Sequence, residues 1–401
     1  MEVPGINAEG GVVKPVANAA HMLLLPGWAV AIKVLGRDEL HTWVGALVAS
    51  GVSVAAYMAL FLALNGVRRV FCRALEHAHA ADDASVGLGR RRFLVNAAAV
   101  STVAVPAAAL GRSTMHVPWN LQVRRYRIPI AGLPVALDGI RIVQVSDTHL
   151  GPRVPAAFIR DAVDQAVALQ PDCFVITGDY VHDGARHIDE AVDLFKPLVA
   201  AAGSLGVIGT LGNHDWYADG PRISAALTEI GVHMVDNDRV FIDAATRRIV
   251  PDAPAAGLCV GGFGDLMTDA VDVDAALRDV PIDMPRIVLS HHPDCAELAD
   301  VRGRRGGLKA DAPGRDAAVR ERRIDLMVSG HTHGGQIRLP ILGPVMVPSA
   351  YFKKYEGGHV QGPAFPVVIS RGVGMSILPV RWGVPPELVE MTLVRATESV
   401  D

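Results

Sequence analysis

From Ile140 onward the chain predicts an α/β fold. Short apolar runs alternate there with stretches of helical spacing, and five of the runs end directly in Asp, Asn or His. Ahead of this region lies a different kind of sequence, long uncharged segments edged by arginines, which predicts membrane-spanning helices before the α/β part begins.

Residues 140–145 (IRIVQV) read as a first strand that runs into Ser146-Asp147-Thr148-His149. Residues 156–169 carry apolar positions at helical spacing, and Pro171 stops that helix. A second buried strand, 173–176, ends in Thr177-Gly178-Asp179, and a third, 205–210, ends in Leu211-Gly212-Asn213-His214-Asp215. The fourth, 286–289, ends in Ser290-His291-His292-Pro293. The fifth, 325–328, ends in Ser329-Gly330-His331-Thr332-His333-Gly334-Gly335.

A lone Asp after a strand is most often a helix cap, and a lone His is most often an ordinary core or surface residue. Here the same placement recurs five times, at the strand ends where open α/β sheets gather ligand sites. Carboxylate, imidazole and amide oxygen suit Mn, Fe, Zn or Mg. In an extended segment the period of 2 puts Asp147 with His149, and His331 with His333, on one side. Asp179 can bridge two ions through its two oxygens. Ser146 and Ser290 lack the base and orienting group that would recommend them as nucleophiles.

Residues 43–64 form an uncharged run of 22 residues. At ~1.5 Å per residue it would extend about 33 Å, enough for a hydrocarbon core of ~30 Å. Residues 20–35 are a poorer candidate span, because they contain Pro26 and Lys33. A further uncharged run, 93–111, follows Arg90-Arg91-Arg92. With Arg68, Arg69 and Arg73 also placed between the runs, the positive-inside rule puts this stretch in the cytoplasm and everything after about residue 112 outside. Arg90-Arg91-x-Phe93-Leu94 also resembles a twin-arginine export signal, although it lies well inside the chain; the plainer reading is a basic flank on a second span. The expectation is an anchor region, 1–114, in the cytoplasmic (inner) membrane and a domain, 115–401, on its outer, periplasmic side. The opposite orientation is the alternative.

Half of the 401 residues are hydrophobic and the mean hydropathy is positive, as an anchored protein requires. A net charge of -4 gives no footing for nucleic acid. The four cysteines, Cys72, Cys173, Cys259 and Cys295, have neither CxxC spacing nor a zinc-finger pattern, so no disulfide framework or zinc-thiolate site follows from them.

DxH, GD, GNHD, a strand-borne His and GHTH, in that order, resemble the calcineurin-like metallophosphoesterases, over roughly residues 120–400. The stretches LDGIRIVQVSDTHLG, LGNHDWY, LSHHPD and SGHTHGGQIRLP look like a bacterial subgroup of membrane-associated or exported enzymes. The resemblance implies a four-layer α/β sandwich, two mixed β-sheets flanked by helices, behind the N-terminal membrane helices. It implies two divalent metal ions, with Mn favoured among Mn, Fe, Zn and Mg. Asp147, His149 and His333 would hold the first ion, Asn213, His291 and His331 the second, and Asp179 would bridge them. His214 resembles the family's non-ligand histidine, which stabilises the transition state or protonates the leaving oxygen. His292 competes with His291 as a substrate contact or mere neighbour, and Asp215 and Gln336 read as supporting residues.

The implied reaction is hydrolysis of phosphomonoester, phosphodiester or pyrophosphate bonds by water activated between two ions. The implied partners are a phosphate ester, lipid-linked or part of the cell envelope, and the membrane; the export signal adds the twin-arginine machinery. Cleavage of UDP-2,3-diacylglucosamine is the alternative, although that substrate lies on the cytoplasmic side. A non-catalytic metal-binding scaffold is a remote one, because scaffolds lose ligands and none is missing here. One departure stands out: residues 301–323 carry eight Lys/Arg against three Asp/Glu, an insert that reads as a solvated loop or an anion-attracting flap.

Overall fold

The computed structural model describes residues 108, 111–182, 184–298, 323–376 and 378–396, all within one unit, Ala107–Asp401. The candidate spans 20–35 and 43–64 lie outside the described residues, as do 93–111 apart from 108 and 111, and the basic insert apart from Arg323. Among the described residues no helix is long and apolar enough to cross a membrane.

The chain enters through β1 (Gln122–Ile130) and β2 (Arg141–Val145), then α1 (Ala156–Ala168), β3 (Cys173–Thr177) and α2 (Ile188–Ala201). It continues through β4 (Val207–Thr210), α3 (Asn213–Glu229), β5 (Val232–Met234), β6 (Arg239–Asp243) and β7 (Arg248–Val250). Then come β8 (Gly257–Gly262), α4 (Val273–Leu277), β9 (Arg286–Leu289) and β10 (Leu326–Ser329). Two short strands, β11 (Arg338–Leu339) and β12 (Gly343–Pro344), form a hairpin ahead of β13 (Gly358–Gln361), β14 (Pro366–Ile369) and β15 (Glu387–Arg395).

Two mixed sheets result. One has the order β1-β15-β2-β3-β4-β5, the other β13-β14-β10-β9-β8-β6-β7. The run β2-β3-β4-β5 is parallel, as is β14-β10-β9-β8. Such strands are buried on both faces, which is why they read as continuous apolar runs. Their alternate side chains divide between layers. Ile142, Val175 and Ile208 of the first sheet meet Val260, Ile287, Leu326 and Val368 of the second in the central layer. Val143, Phe174 and Ile176 face the other way, onto Ile159, Val163, Phe195 and Ile223 of α1–α3. Cys259, Val288 and Met327 pack outward with Val273 and Leu277 of α4 and with Tyr355. Helical cover is therefore unequal. The first sheet carries three full helices, the second one five-residue helix and 3₁₀ segments.

The last strand completes the first sheet from within. β15 lies between β1, with which it is parallel from Gln122↔Glu387 to Ile130↔Arg395, and β2, with which it is antiparallel. Its two buried acids, Glu387 and Glu390, are met by Arg124, Arg125 and Arg141.

Candidate metal centre

The C-terminal ends of β2, β3, β9 and β10, with the start of α3 after β4, converge on one site. Asp147, His149, Asp179, Asn213, His291 and His333 are buried there, and His331 is partly exposed. Five of these seven have left-handed backbones: Asp147 (φ 53°), His149 (47°), Asp179 (55°), His331 (68°) and His333 (49°). Only a few per cent of non-glycine residues sit there, and such strain concentrates at functional sites. It also corrects an expectation. Asp147 and His149, like His331 and His333, reach one cavity because each residue turns over at a strand end, not because an extended segment places alternate residues on one face.

The side chains sort into two groups around Asp179. His149 Nε2 lies 2.9 Å from His333 Nε2, and His333 Nε2 lies 3.4 Å from Asp147 Oδ1. On the other side His331 Nδ1 is 3.3 Å from His291 Nε2. Asp179 Oδ2 stands between them, 3.4 Å from His149 Nε2 and 3.2 Å from His291 Nε2. Its Oδ1 instead accepts the His214 amide at 2.8 Å. A single oxygen of Asp179 therefore faces both groups, rather than one oxygen each as the sequence reading expected. Asn213 Oδ1 is buried with no hydrogen-bond partner. His291 Nδ1 donates to Thr177 O at 2.7 Å, which fixes the ring with Nε2 turned inward. His292 lies beside this group, its ring centroid 3.7 Å from that of His331, with its Nε2 3.0 Å from Asp265 Oδ2; the ligand-type atoms of His291, His292 and His331 lie within 4.8 Å of one another.

Supporting contacts fix these groups. Asp215 accepts the amides of Asp179 (2.7 Å), Tyr180 (2.8 Å) and Gly212 (2.9 Å), tying the β3 and β4 ends together. Asp147 accepts from Ser146 Oγ at 2.6 Å and from the His331 amide at 2.9 Å. Gly212 leaves no room for a side chain, since a Cβ there would lie 2.6 Å from Asp179 N and run into Asp179 Oδ1. Gln336 braces the loop 376–382 through Ser376 N (2.9 Å) and Leu378 O (2.7 Å).

His214 donates from Nδ1 to His182 O at 2.8 Å, because a carbonyl can only accept, and this leaves its Nε2 for another partner. His182 stacks on His214 and reaches His149, with Nδ1 atoms 3.3 Å apart. Arg381, fully buried, donates to the carbonyls of Arg371 (2.9 Å) and Gly372 (3.0 Å) and touches His333 Nδ1 at 3.3 Å. Sequence reasoning missed His182, Asp265 and Arg381. For Asp265 a signal existed: LCVGGFGD is a sixth strand ending in a carboxylate, disguised by its glycines.

Burial holds His149, His331 and His333 well below the usual histidine range, so these rings are neutral, the form that binds metals. Burial, reinforced by Asp179 and opposed by His291, lifts Asp147 to about 6. Burial would also lower His291, but the Asp179 and Asp147 carboxylates outweigh it and raise the ring to about 10. Two buried carboxylates thus favour positive charge at the centre of the site, and a proton on His291 answers part of that demand. Oxygen and imidazole donors, an orphaned Asn213 oxygen and this charge demand together fit divalent ions. Among the described residues no thiolate takes part, and burial pushes Cys173, Cys259 and Cys295 up to about 12.

Residues 140–335 match the family described as calcineurin-like phosphoesterase. The chain carries a calcineurin-like metallophosphoesterase domain. This domain type belongs to metal-dependent hydrolases. Phosphodiesterase YaeI of Escherichia coli is 27% identical over 77% of this chain and all of its own length. A zebrafish (Danio rerio) transmembrane protein with metallophosphoesterase domain is 27% identical, covering 94% of this chain and 79% of its own. UDP-2,3-diacylglucosamine pyrophosphatase LpxG of Chlamydia trachomatis is 28% identical over 51% of this chain and 66% of its own.

Proposed function

We propose that this chain is a membrane-tethered phosphoesterase that works with two divalent ions on phosphate esters or pyrophosphates of the cell envelope or of lipid carriers. The observation that carries this reading is Asp179 Oδ2, 3.4 Å from His149 Nε2 and 3.2 Å from His291 Nε2, between two groups of inward-facing donors. Asp147, His149 and His333 hold the first ion, Asn213, His291 and His331 the second, and Asp179 serves both. When bound, the ions supply Lewis-acid activation of water and neutralise charge on the phosphoryl oxygens. Mn is the favoured metal among Mn, Fe, Zn and Mg.

The protein's own residues do the rest. His291, steered by Thr177 O, and Asp179, fixed by Asp215 through the backbone, set the spacing of the two groups. His214, anchored on His182 O, presents Nε2, which in the doubly protonated ring donates to the phosphoryl oxygens or protonates the departing one. No covalent intermediate is required. A relative named as a transmembrane protein supports membrane tethering, and the arginines between the candidate spans favour a domain on the outer, periplasmic side, delivered by the second span or by a twin-arginine signal.

A second reading, a UDP-2,3-diacylglucosamine pyrophosphatase, is favoured by the name of the Chlamydia relative. Both readings are tested by assaying the purified full chain against phosphate monoesters, phosphodiesters, phospholipids and nucleotide-linked lipids, with Mn added and with chelator. Turnover that needs metal and is lost in Asp179→Asn is the expected result. A chain that binds metal and hydrolyses nothing in the panel would make it a scaffold.

A further inference from the structure

Six of the twelve large apolar side chains exposed among the described residues cluster on one feature: Ile341, Leu342, Val345, Met346, Phe352 and Leu378. The first four lie on the β11–β12 hairpin or just after it. Phe352 opens the 3₁₀ segment whose Lys353 Nζ donates to Leu342 O at 2.9 Å. Leu378 belongs to the loop that Gln336, two residues ahead of β11, holds at 2.7 Å. The hairpin tip is Pro340-Ile341-Leu342, where solvent-exposed turns ordinarily use Asn, Asp or Gly.

Ile341 is fully projected, at 105% exposure, and Leu342 is 69% exposed. The Leu342 amide donates to Pro340 O at 2.7 Å, closing a γ-turn about Ile341 at φ 69°. That turn is rare and strained, and a β-branched residue is poorly suited to it. Water offers these side chains nothing in return.

We propose that this hairpin is a membrane-docking element whose apolar tip enters the headgroup–acyl boundary of an anionic phospholipid bilayer. Three observations choose that occupant. The tip is convex, and an apolar knob needs a pocket in a protein partner but none in a fluid bilayer. Exposed Lys353 flanks the apolar tip, with Arg338, which is ion-paired to Glu356, on the other side, and a cation beside an apolar wedge is the composition of interfacial segments. The uncharged run 43–64 in the same chain is long enough to keep the domain within reach of a membrane.

The hairpin is also continuous with the candidate metal centre. His333–Gly335 leads directly into it, and Gly335 packs against the backbone of Met346 and the ring of Pro344 so closely that no Cβ could be added. Docking would therefore bring the centre to the headgroup layer, where substrate carried in the same leaflet can enter. The functional consequence rests on the lipid-linked-substrate reading; the docking itself does not.

The test uses the full chain with Leu342→Trp, reconstituted with Mn in vesicles of phosphatidylcholine and phosphatidylserine. Brominated acyl chains should quench the fluorescence that the introduced indole adds to that of the parent chain's own five tryptophans, more strongly with bromines near the glycerol than near the chain end, because interfacial segments bury only ~5–10 Å deep. Ile282→Trp, exposed ahead of β9 and so at the opposite end of the strands from the site, is the control whose added fluorescence, over that of the parent chain, should stay unquenched. Fluorescence of the Leu342→Trp chain that acrylamide quenches and bromine does not would overturn the proposal. So would an indole shielded from both, which would mean that a protein surface covers the tip.

In the double variant Ile341→Asp, Leu342→Asp the KM for a vesicle-borne ester should rise about tenfold, equivalent to roughly 1.4 kcal/mol, with a soluble chromogenic ester unaffected. Equal effects on both esters would also overturn it. The soluble ester separates the two claims. Quenching without any wild-type turnover sinks the phosphoesterase reading and leaves the docking, whereas turnover without quenching does the reverse.

Discussion

Asp215 offers a test of how the candidate metal centre is held, because it touches no candidate ligand side chain yet fixes two of the loops that carry them. Its partners, the amides of Asp179, Tyr180 and Gly212 and, more distantly, that of Val181 at 3.4 Å, are all donors. Burial and then the Asp179 charge push its pKa up to about 8, but a protonated carboxyl would have no acceptor for its hydrogen in this nest. The ionised form is the one the loops are built around, and cations at Asp179 would favour it further. Replacing Asp215 by Asn keeps the shape and removes the charge. In its better orientation the amide oxygen still accepts from Asp179 and Gly212, while the NH2 confronts the Tyr180 amide. Losing one bond to a charged acceptor costs about 1.5–3 kcal/mol, and stranding a buried N–H costs about 1–3 more. The total is roughly 3–5 kcal/mol. At about 2–4 °C per kcal/mol, the melting temperature should fall by roughly 6–20 °C. Calorimetry on the full chain in chelator isolates this loss from metal binding, and metal content at dialysis equilibrium should fall as well. A variant melting within about 2 °C of the parent, less than ~1 kcal/mol, with full metal content would refute the claim that Asp215 organises the site.

Two further outcomes follow from the geometry. His214→Ala should lower kcat by ~10²–10⁴-fold while metal content is retained, because the ring acts on substrate and not on the ions; loss of metal in elemental analysis would make it a ligand instead. Asp236 has one oxygen on the Leu211 amide and the other buried without a partner, and burial lifts its pKa to about 7 from an ordinary ~3.9. A raised folded-state pKa means stability is complete below about pH 4 and is lost as pH rises through 7. Asp236→Asn should therefore match the parent at pH ~4 and exceed it by about 1–3 kcal/mol at pH ~8 in urea unfolding; equal differences at both pH values would contradict the assignment.

Much of the site's scaffold was legible because the strands that carry it are buried on both faces. IRIVQV, CFVIT and RIVL admit no polar side to blur them, and each runs straight into ligand-type residues. β1 and β15 were not legible. Arg124, Arg125 and Arg127 in the one and Glu387 and Glu390 in the other look like solvated surface, yet the acids are buried by pairing across strands 265 residues apart. His182 and Arg381 reach the centre from loops, through contacts that no local pattern encodes. Left-handed backbones at five candidate ligands were likewise invisible, because Asp and His tolerate that conformation without announcing it as glycine does.

The position of β15 has a consequence for how the molecule comes into being. A ribosome releases β1 and β2 long before the strand that separates them exists, so the first sheet cannot close until β15 has been made. Until then the edges of β1 and β2 wait unpaired, and the pairing that rescues them spans almost the whole domain, the slowest kind to find. A premature stop ahead of Glu387 would not trim the protein but leave its first sheet split in two.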